Sequence, residues 1–141
     1  MSFAVRRAEV SDISAMHVVR MAVRENQLRT PGLVTEQHYR EMLTERGAGW
    51  VAESAGRIVG FAVVDAVAQS VWALFVEPDW EQRGVGAALH SALLAWCAER
   101  GLPRLTLSTA PGTRAVQFYL AKGWEPKGST KSGEVLFEMV L

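Results

Sequence analysis

Residues Val71–Trp96, VWALFVEPDWEQRGVGAALHSALLAW, constrain the fold more than any other stretch of the chain. Val71–Val76 is apolar, β-branched and aromatic, which predicts a strand, and Pro78 ends it because proline offers no ladder donor. From Val85 the apolar residues Val85, Ala88, Leu89, Ala92, Leu93, Trp96 and Cys97 fall on one face of a helix. Between strand and helix lies Glu81-Gln82-Arg83-Gly84-Val85-Gly86. Gly84 and Gly86 leave room for a ligand to approach the backbone, and the first N–H groups of the helix point outward at the positive end of its dipole. Such a turn suits a phosphate or pyrophosphate. It can equally be tight-turn chemistry, since it lacks the third glycine of a dinucleotide fingerprint and the Gly-Lys-Ser/Thr of a P-loop.

Two longer patterns narrow the choice. ALFVEPDWEQRGVGAAL resembles the acyl-CoA-binding motif of the GNAT superfamily of N-acetyltransferases, Arg/Gln-x-x-Gly-x-Gly/Ala after a strand ending in Val-x-Pro. Further on, AVQFYLAKGW resembles the same family's second motif, a Phe-Tyr pair on a helix before Gly-Phe or Gly-Trp. The resemblance implies acetyl-CoA as co-substrate and a primary amine, of a small molecule or a peptide, as acceptor.

The remaining sequence is compatible with that class. A length of 141 residues, 49% hydrophobic and 21% charged, suits one globular domain spanning 1–141. Fifteen basic and fifteen acidic residues balance, which argues against a broad nucleic-acid or anionic-membrane surface. Cys97 is the only cysteine, so no internal disulfide forms, and its place on an apolar stripe favours a buried small hydrophobe over a nucleophile. No run approaches transmembrane length, and the alternating, charged N-terminus is unlike a signal peptide. A cytoplasmic protein is expected, with no nucleic-acid or membrane partner and a homodimer left open.

In chain order, Phe3–Ala8 alternates as a strand, and Ser11 or Asp12 can cap a helix from about Ile13 to Gln27 whose apolar residues form no single stripe. Pro31-Gly32 breaks the chain, and Thr35 caps a second helix through Arg46, with Tyr39, Met42 and Leu43 as its buried side. Trp50–Glu53 and Arg57–Val64 are strands joined by a Ser54-Ala55-Gly56 turn. After the long helix, Gly101-Leu102-Pro103 is a stop, and Arg104–Thr109 is a strand. Thr113 can cap a short helix ending at Gly123, and Trp124–Gly128 and Val135–Leu141 form a last pair. The order β-α-α-β-β-β-α-β-α-β-β predicts an α/β fold, a mixed, mostly antiparallel sheet with helices on both faces. The resemblance implies the same architecture.

Acetyl transfer needs the donor held, its carbonyl polarised, the amine neutral and the thiolate stabilised. The expected donor site comprises Gln82, Arg83, Gly84, Val85, Gly86, Ala87 and Ala88, with Phe118 beside them, and the Arg83 side chain is available for a phosphate. Glu81 stands where the family usually has Arg or Gln, and a carboxylate there is expected to point away from a pyrophosphate. The resemblance places carbonyl polarisation, at a bulge, on Leu74, Phe75 and Val76, and the general acid on Tyr119. A Phe-Tyr pair on an amphipathic helix is otherwise core packing. The family's Asn seven residues before the tyrosine is Gly112 here, so that contact has no side chain.

No single base stands out among Glu53, Asp65, Glu77 and Glu134, and Glu77 beside Pro78 reads as a surface residue. His17, His38 and His90 are isolated on helices, read as solvated, and have no ligand spacing, so no metal is expected. The resemblance makes Glu25–Thr35, between the first two helices, a candidate substrate wall, and Trp50, Trp72, Glu25 and Arg29 are candidate cleft residues. A non-catalytic acyl-CoA-binding regulatory module and a nucleotide-phosphate-binding domain are the rival readings.

Overall fold

A computed structural model describes residues 2–23 and 34–141. Its seven strands are β1 (Ala4–Arg7), β2 (Gly47–Ser54), β3 (Arg57–Asp65), β4 (Ser70–Val76), β5 (Arg104–Thr109), β6 (Glu125–Ser129) and β7 (Val135–Val140). They form one sheet in the order β1-β2-β3-β4-β5-β7-β6. Every neighbouring pair is antiparallel except β4 and β5, which run parallel and share one bridging pair, Ser70 with Thr106. Beyond that pair the two strands separate, and a cleft opens between them.

The helices are α1 (Ile13–Ala22), α2 (Glu36–Glu41, continued as a π-turn over Met42–Arg46), α3 (Val85–Glu99) and α4 (Arg114–Ala121). They cover opposite faces of the sheet. Val85, Leu89, Leu93 and Cys97 of α3 and Tyr119 of α4 share a core with Ala62, Leu105 and Phe137. Ile13, Met16 and Val19 of α1 and Tyr39 of α2 share the other with Val51, Phe61 and Ala73. The element order and the mixed sheet are those expected.

Local chemistry accounts for most boundaries. Ala55 (φ 49°) and Gly56 (φ 79°) make the left-handed two-residue turn between β2 and β3. Helix α4 ends in a Schellman motif: Trp124 N–H donates to the Tyr119 carbonyl at 3.0 Å and Gly123 N–H to that of Leu120 at 3.2 Å. Thr35 Oγ1 accepts from His38 N–H, while His38 Nδ1 accepts from Thr35 N–H at 3.0 Å, so a histidine closes the capping box.

Several expectations change. Neither Ser11 nor Asp12 caps α1 directly. A 3₁₀ turn over Val10–Asp12 precedes the helix, and the Asp12 carboxylate accepts from Glu9 N–H at 2.8 Å and binds Arg6. The helix stops at Ala22, since Val23 is extended, and its core side is the single stripe Ile13, Met16 and Val19, with Val18 and Met21 exposed. Strand β2 starts at Gly47 rather than Trp50. Gln27, Pro31-Gly32 and the part of the expected substrate wall from 25 to 33, with the candidate cleft residues Glu25 and Arg29, lie outside the described residues.

Candidate functional site

The cleft is built on β4. The register with β3 pairs Val63 with Ala73 but Val64 with Val71, so Trp72 is an extra residue in the strand. The expected bulge thus sits at Trp72, not within Leu74–Val76, where pairing with Gly60–Ala62 is regular. Because of it, Trp72 and Ala73 both pack toward α1 and α2, and Val71, Leu74 and Val76 toward α3 and α4. Glu77 N–H donates to the Val59 carbonyl at 2.8 Å. By the alternation of an antiparallel ladder, Phe75 N–H then also faces β3, while Leu74 and Val76 N–H face the open side toward β5. Two backbone donors are thereby left along the cleft wall.

One end of the cleft is a cavity of roughly 570 Å³. Gln82, Gly84, Gly86 and Ala87 of the turn line it, with Leu74, Phe75 and Val76 below and Phe118 of α4 opposite. Gln82 (φ 61°) and Gly84 (φ 84°) are left-handed, which folds the turn under the start of α3. A Cβ on Gly86 would meet Phe118 Cε1 at 3.6 Å and Val76 Cγ2 at 3.7 Å, so the glycine keeps the surface flat where a ligand would lie.

Three expected donor residues contribute differently. Arg83 lies over the Trp80 ring, 5.3 Å from its centroid, and does not line the cavity. The Val85 side chain is buried in the core. Ala88 N–H donates to the Gly84 carbonyl at 3.0 Å, so it is the first amide the helix itself uses. Glu81 does not point away: it lines the cavity and pairs with Arg114 of α4. Arg114, Gln117 and Lys122 line the same wall, unforeseen from sequence. Their spacing around Phe118 places them on one stripe of α4, and that periodicity was the available signal. Glu81 against Arg114 and Lys122 leaves one net positive charge on a wall that is otherwise mostly apolar.

The other end is a cavity of roughly 490 Å³ between β4 and β5. Leu74, Phe75, Ala115 and Tyr119 line both cavities, so Tyr119 stands where they meet. Its ring packs at 5.3 Å from Phe118, 5.6 Å from Trp124 and 6.0 Å from Phe137. Burial holds its hydroxyl above the ordinary tyrosine range, so it stays protonated.

Of the candidate bases, only Glu134 reaches this cleft, where its Oε1 accepts from Ser108 Oγ at 3.0 Å. Asp65 binds Arg46 at 2.9 Å and closes the turn after β3 by accepting from Val67 and Ala68 N–H. Glu53 pairs with Arg6, and Glu77, half-buried rather than free at the surface, pairs with Arg57. Trp72 lines the cavity, whereas Trp50 is a core residue stacked edge-on against Trp96.

The histidines divide. His38 is exposed and His17 bonds the Tyr39 hydroxyl at 3.0 Å, but His90 is buried beneath the cleft. Its Nε2 accepts from Trp124 Nε1–H at 2.9 Å, and burial, with the Lys122 charge second, pushes it down to about 4. It is neutral, and solvation was the wrong expectation. Cys97 is buried, and burial pushes its thiol up to about 11, which removes it as a nucleophile.

The sequence model of the acetyltransferase (GNAT) family matches residues 16–124. An uncharacterized ycf52-like N-acetyltransferase of Prochlorococcus marinus is 35% identical over 78 residues, 52% of this chain and 42% of that protein, so the match spans less than half of that relative. PaiA N-acetyltransferase from Thermoplasma acidophilum, solved in complex with coenzyme A, shares the fold with a TM-score of 0.80 at 14% identity, covering 100% of both chains. The ribosomal-protein-S18-alanine N-acetyltransferase of Escherichia coli superposes with a TM-score of 0.77 at 21% identity, over 99% of this chain and 93% of that one. The strand-turn-helix cradle and the cleft beside β4 thus belong to a pattern matched across most of the sequence: this chain is a member of the GNAT acetyltransferase family.

Proposed function

We propose that the protein transfers an acetyl group from acetyl-CoA to a primary amine of a small molecule or peptide. The observation that carries this reading is the meeting of two cavities at Tyr119, one under a glycine turn at a helix start with a net positive wall and the other holding a carboxylate. Bound in the first, acetyl-CoA would supply the activated thioester. Gln82 and the N–H groups of Val85, Gly86 and Ala87 would hold its phosphates, with Arg114 and Lys122 adding positive charge. Leu74 and Val76 N–H face the cleft as donors for the pantetheine amides or the thioester oxygen.

In the second cavity, Glu134 would take the proton the amine loses as its nitrogen bonds the carbonyl carbon and the C–S bond breaks. The Tyr119 hydroxyl would hydrogen-bond the departing sulfur. A non-catalytic acyl-CoA sensor needs only the first cavity, and Glu134 in the second supports turnover instead. Because the donor is a cytoplasmic metabolite, we place the reaction in the cytoplasm; among the described residues no helix is long and apolar enough to cross a membrane.

Calorimetry with CoA and thiol release from acetyl-CoA across amino acids, polyamines, aminoglycosides and peptides test the proposal. Binding of CoA without thiol release for any amine would leave a sensor. Glu134→Gln should lower kcat by roughly 10²-fold near neutral pH, and the deficit should shrink as rising pH deprotonates the amine unaided. An equal deficit at all pH values would remove Glu134 as the base.

A further inference from the structure

We infer that the second cavity takes an amine that also carries a carboxylate, and that Arg20 is the residue that reads it. This rests on the acetyl-transfer reading only for which end of the cleft receives the acceptor. Arg20 comes from the last turns of α1 and lines the cavity beside β4. Its Cζ lies 4.7 Å from the Phe75 ring centroid and 5.7 Å from that of Trp72. Its Nε and Nη1 are buried, and neither has a hydrogen-bond partner.

Other arginines show how unusual this is. Arg6, Arg40, Arg46, Arg57, Arg104 and Arg114 each reach a carboxylate. Arg7, Arg83 and Arg100 form no ion pair among the described residues but are exposed to water. Arg20 meets no carboxylate among the described residues, and its Nε and Nη1 reach neither water nor an acceptor. Its polar neighbour is the Tyr39 hydroxyl, which interacts with Arg20 as well as bonding His17 but, held protonated by burial, brings no negative charge. The two rings attract the cation without supplying an oxygen acceptor. Buried guanidinium N–H groups with no acceptor and, among the described residues, no counter-charge are unfavourable in the folded protein, and a planar carboxylate is the group their fork fits.

The only charged residues lining this cavity, among those described, are Arg20 and Glu134. One fixed positive and one fixed negative charge complement a zwitterion, with its amine toward Glu134 and its carboxylate toward Arg20. A diamine or aminoglycoside would instead bring a second positive charge toward Arg20.

The test uses β-alanine, γ-aminobutyrate and alanylglycine, each beside its carboxamide, with putrescine as the dicationic probe. Wild-type protein should acetylate at least one carboxylate compound roughly tenfold more efficiently than its carboxamide, with putrescine poorest. Arg20→Met should bring that ratio to within about twofold, mainly through the acceptor KM, and Arg20→Lys should keep part of it. CoA affinity by calorimetry should be unchanged in both variants. Arg20→Met should melt at or above the wild-type temperature, because an uncompensated charge has been removed.

Binding is read independently of turnover by titrating the N-acetyl forms of the same compounds into CoA-treated protein. A carboxylate preference lost in Arg20→Met, without any acetyl transfer, would sink the catalytic reading and leave this one standing. Acetyl transfer with no carboxylate preference in any pair, a preference that survives in Arg20→Met, or no binding by any member of the three pairs would overturn the inference.

Discussion

Tyr119 is 6% exposed, and its burial raises the cost of ionising the hydroxyl. A free thiol titrates near ~8.5 and an ordinary tyrosine near ~10, so complete proton transfer to a thiolate is uphill even before burial is counted. In the proposed reaction Tyr119 would therefore act as a hydrogen-bond donor to sulfur as charge develops, rather than as a full proton donor. Tyr119→Phe should lower kcat by roughly 10²-fold while the donor KM stays within a few-fold, measured by thiol release. A near-normal kcat would return Tyr119 to core packing. Beneath it, His90 carries a prediction of opposite kind. Its folded value, about 4, lies below the ordinary 6.5, so between those values the unfolded chain binds a proton that the folded chain refuses. Stability should then fall as pH drops from about 6.5 to 4, by roughly 3 kcal/mol from this one group. Denaturant unfolding at pH 7 and 4.5 should show that part of the loss abolished in His90→Gln. A lone polar residue on an apolar helix reads as solvated from sequence. What buries this one is Trp124, 34 residues away, and no local pattern announces that bond.

At the scale of elements, signals carried within a few residues were readable and those set by distant packing were not. Strand β5 runs over Arg104–Thr109 as expected, and α3 begins at Val85 because the glycine turn and the apolar stripe are both local. Strand β2 begins three residues before Trp50 although Gly47-Ala48-Gly49 has little strand propensity. Its glycines answer to close neighbours: a Cβ on Gly47 would meet the Val64 carbonyl oxygen at 1.9 Å, and one on Gly49 would meet Leu43 Cδ2 at 2.6 Å. The contacts at Gly86 are ordinary by comparison, and this separates ligand from fold. Gly86→Glu should fold and melt near wild type. It should weaken CoA by ~100-fold or more, since a buried carboxylate a few ångströms from a phosphate costs several kcal/mol at an effective dielectric near 20. Calorimetry on the folded variant checks it, and an unchanged Kd would make the turn only a turn. The Glu81–Arg114 pair shows the limit of the same reasoning: a carboxylate that reads as repulsive is neutralised by a residue on another helix.

Across the whole molecule, β1–β4 and β5–β7 are two antiparallel blocks joined by one bridging pair, Ser70 with Thr106, together with the Thr106 N–H bond to the Gln69 carbonyl at 3.0 Å. The order of elements foretold a mixed sheet, but that β4 and β5 share a single pair is a matter of long-range pairing, which periodicity does not encode. That parting gives the protein a seam, and a ligand lying in it should act as a missing strand does, taking the Leu74 and Val76 amides as partners. Phe75 N–H already faces β3 and gains nothing. Hydrogen exchange should therefore slow at Leu74 and Val76 on adding CoA or acetyl-CoA, while Phe75 stays as protected as before. Ligand at a hundred times its Kd should stabilise the fold by ~2.7 kcal/mol, and at roughly 2–4 °C per kcal/mol the melting temperature should rise by roughly 5–10 °C. The two readouts are separable. A thermal shift without slowed exchange at Leu74 and Val76 would place the ligand on the glycine turn alone and leave the seam open. Slowed exchange at Phe75 as well would mean that the whole of β4 tightens, and that the alternation drawn from the Glu77–Val59 bond does not describe which amides the ligand meets.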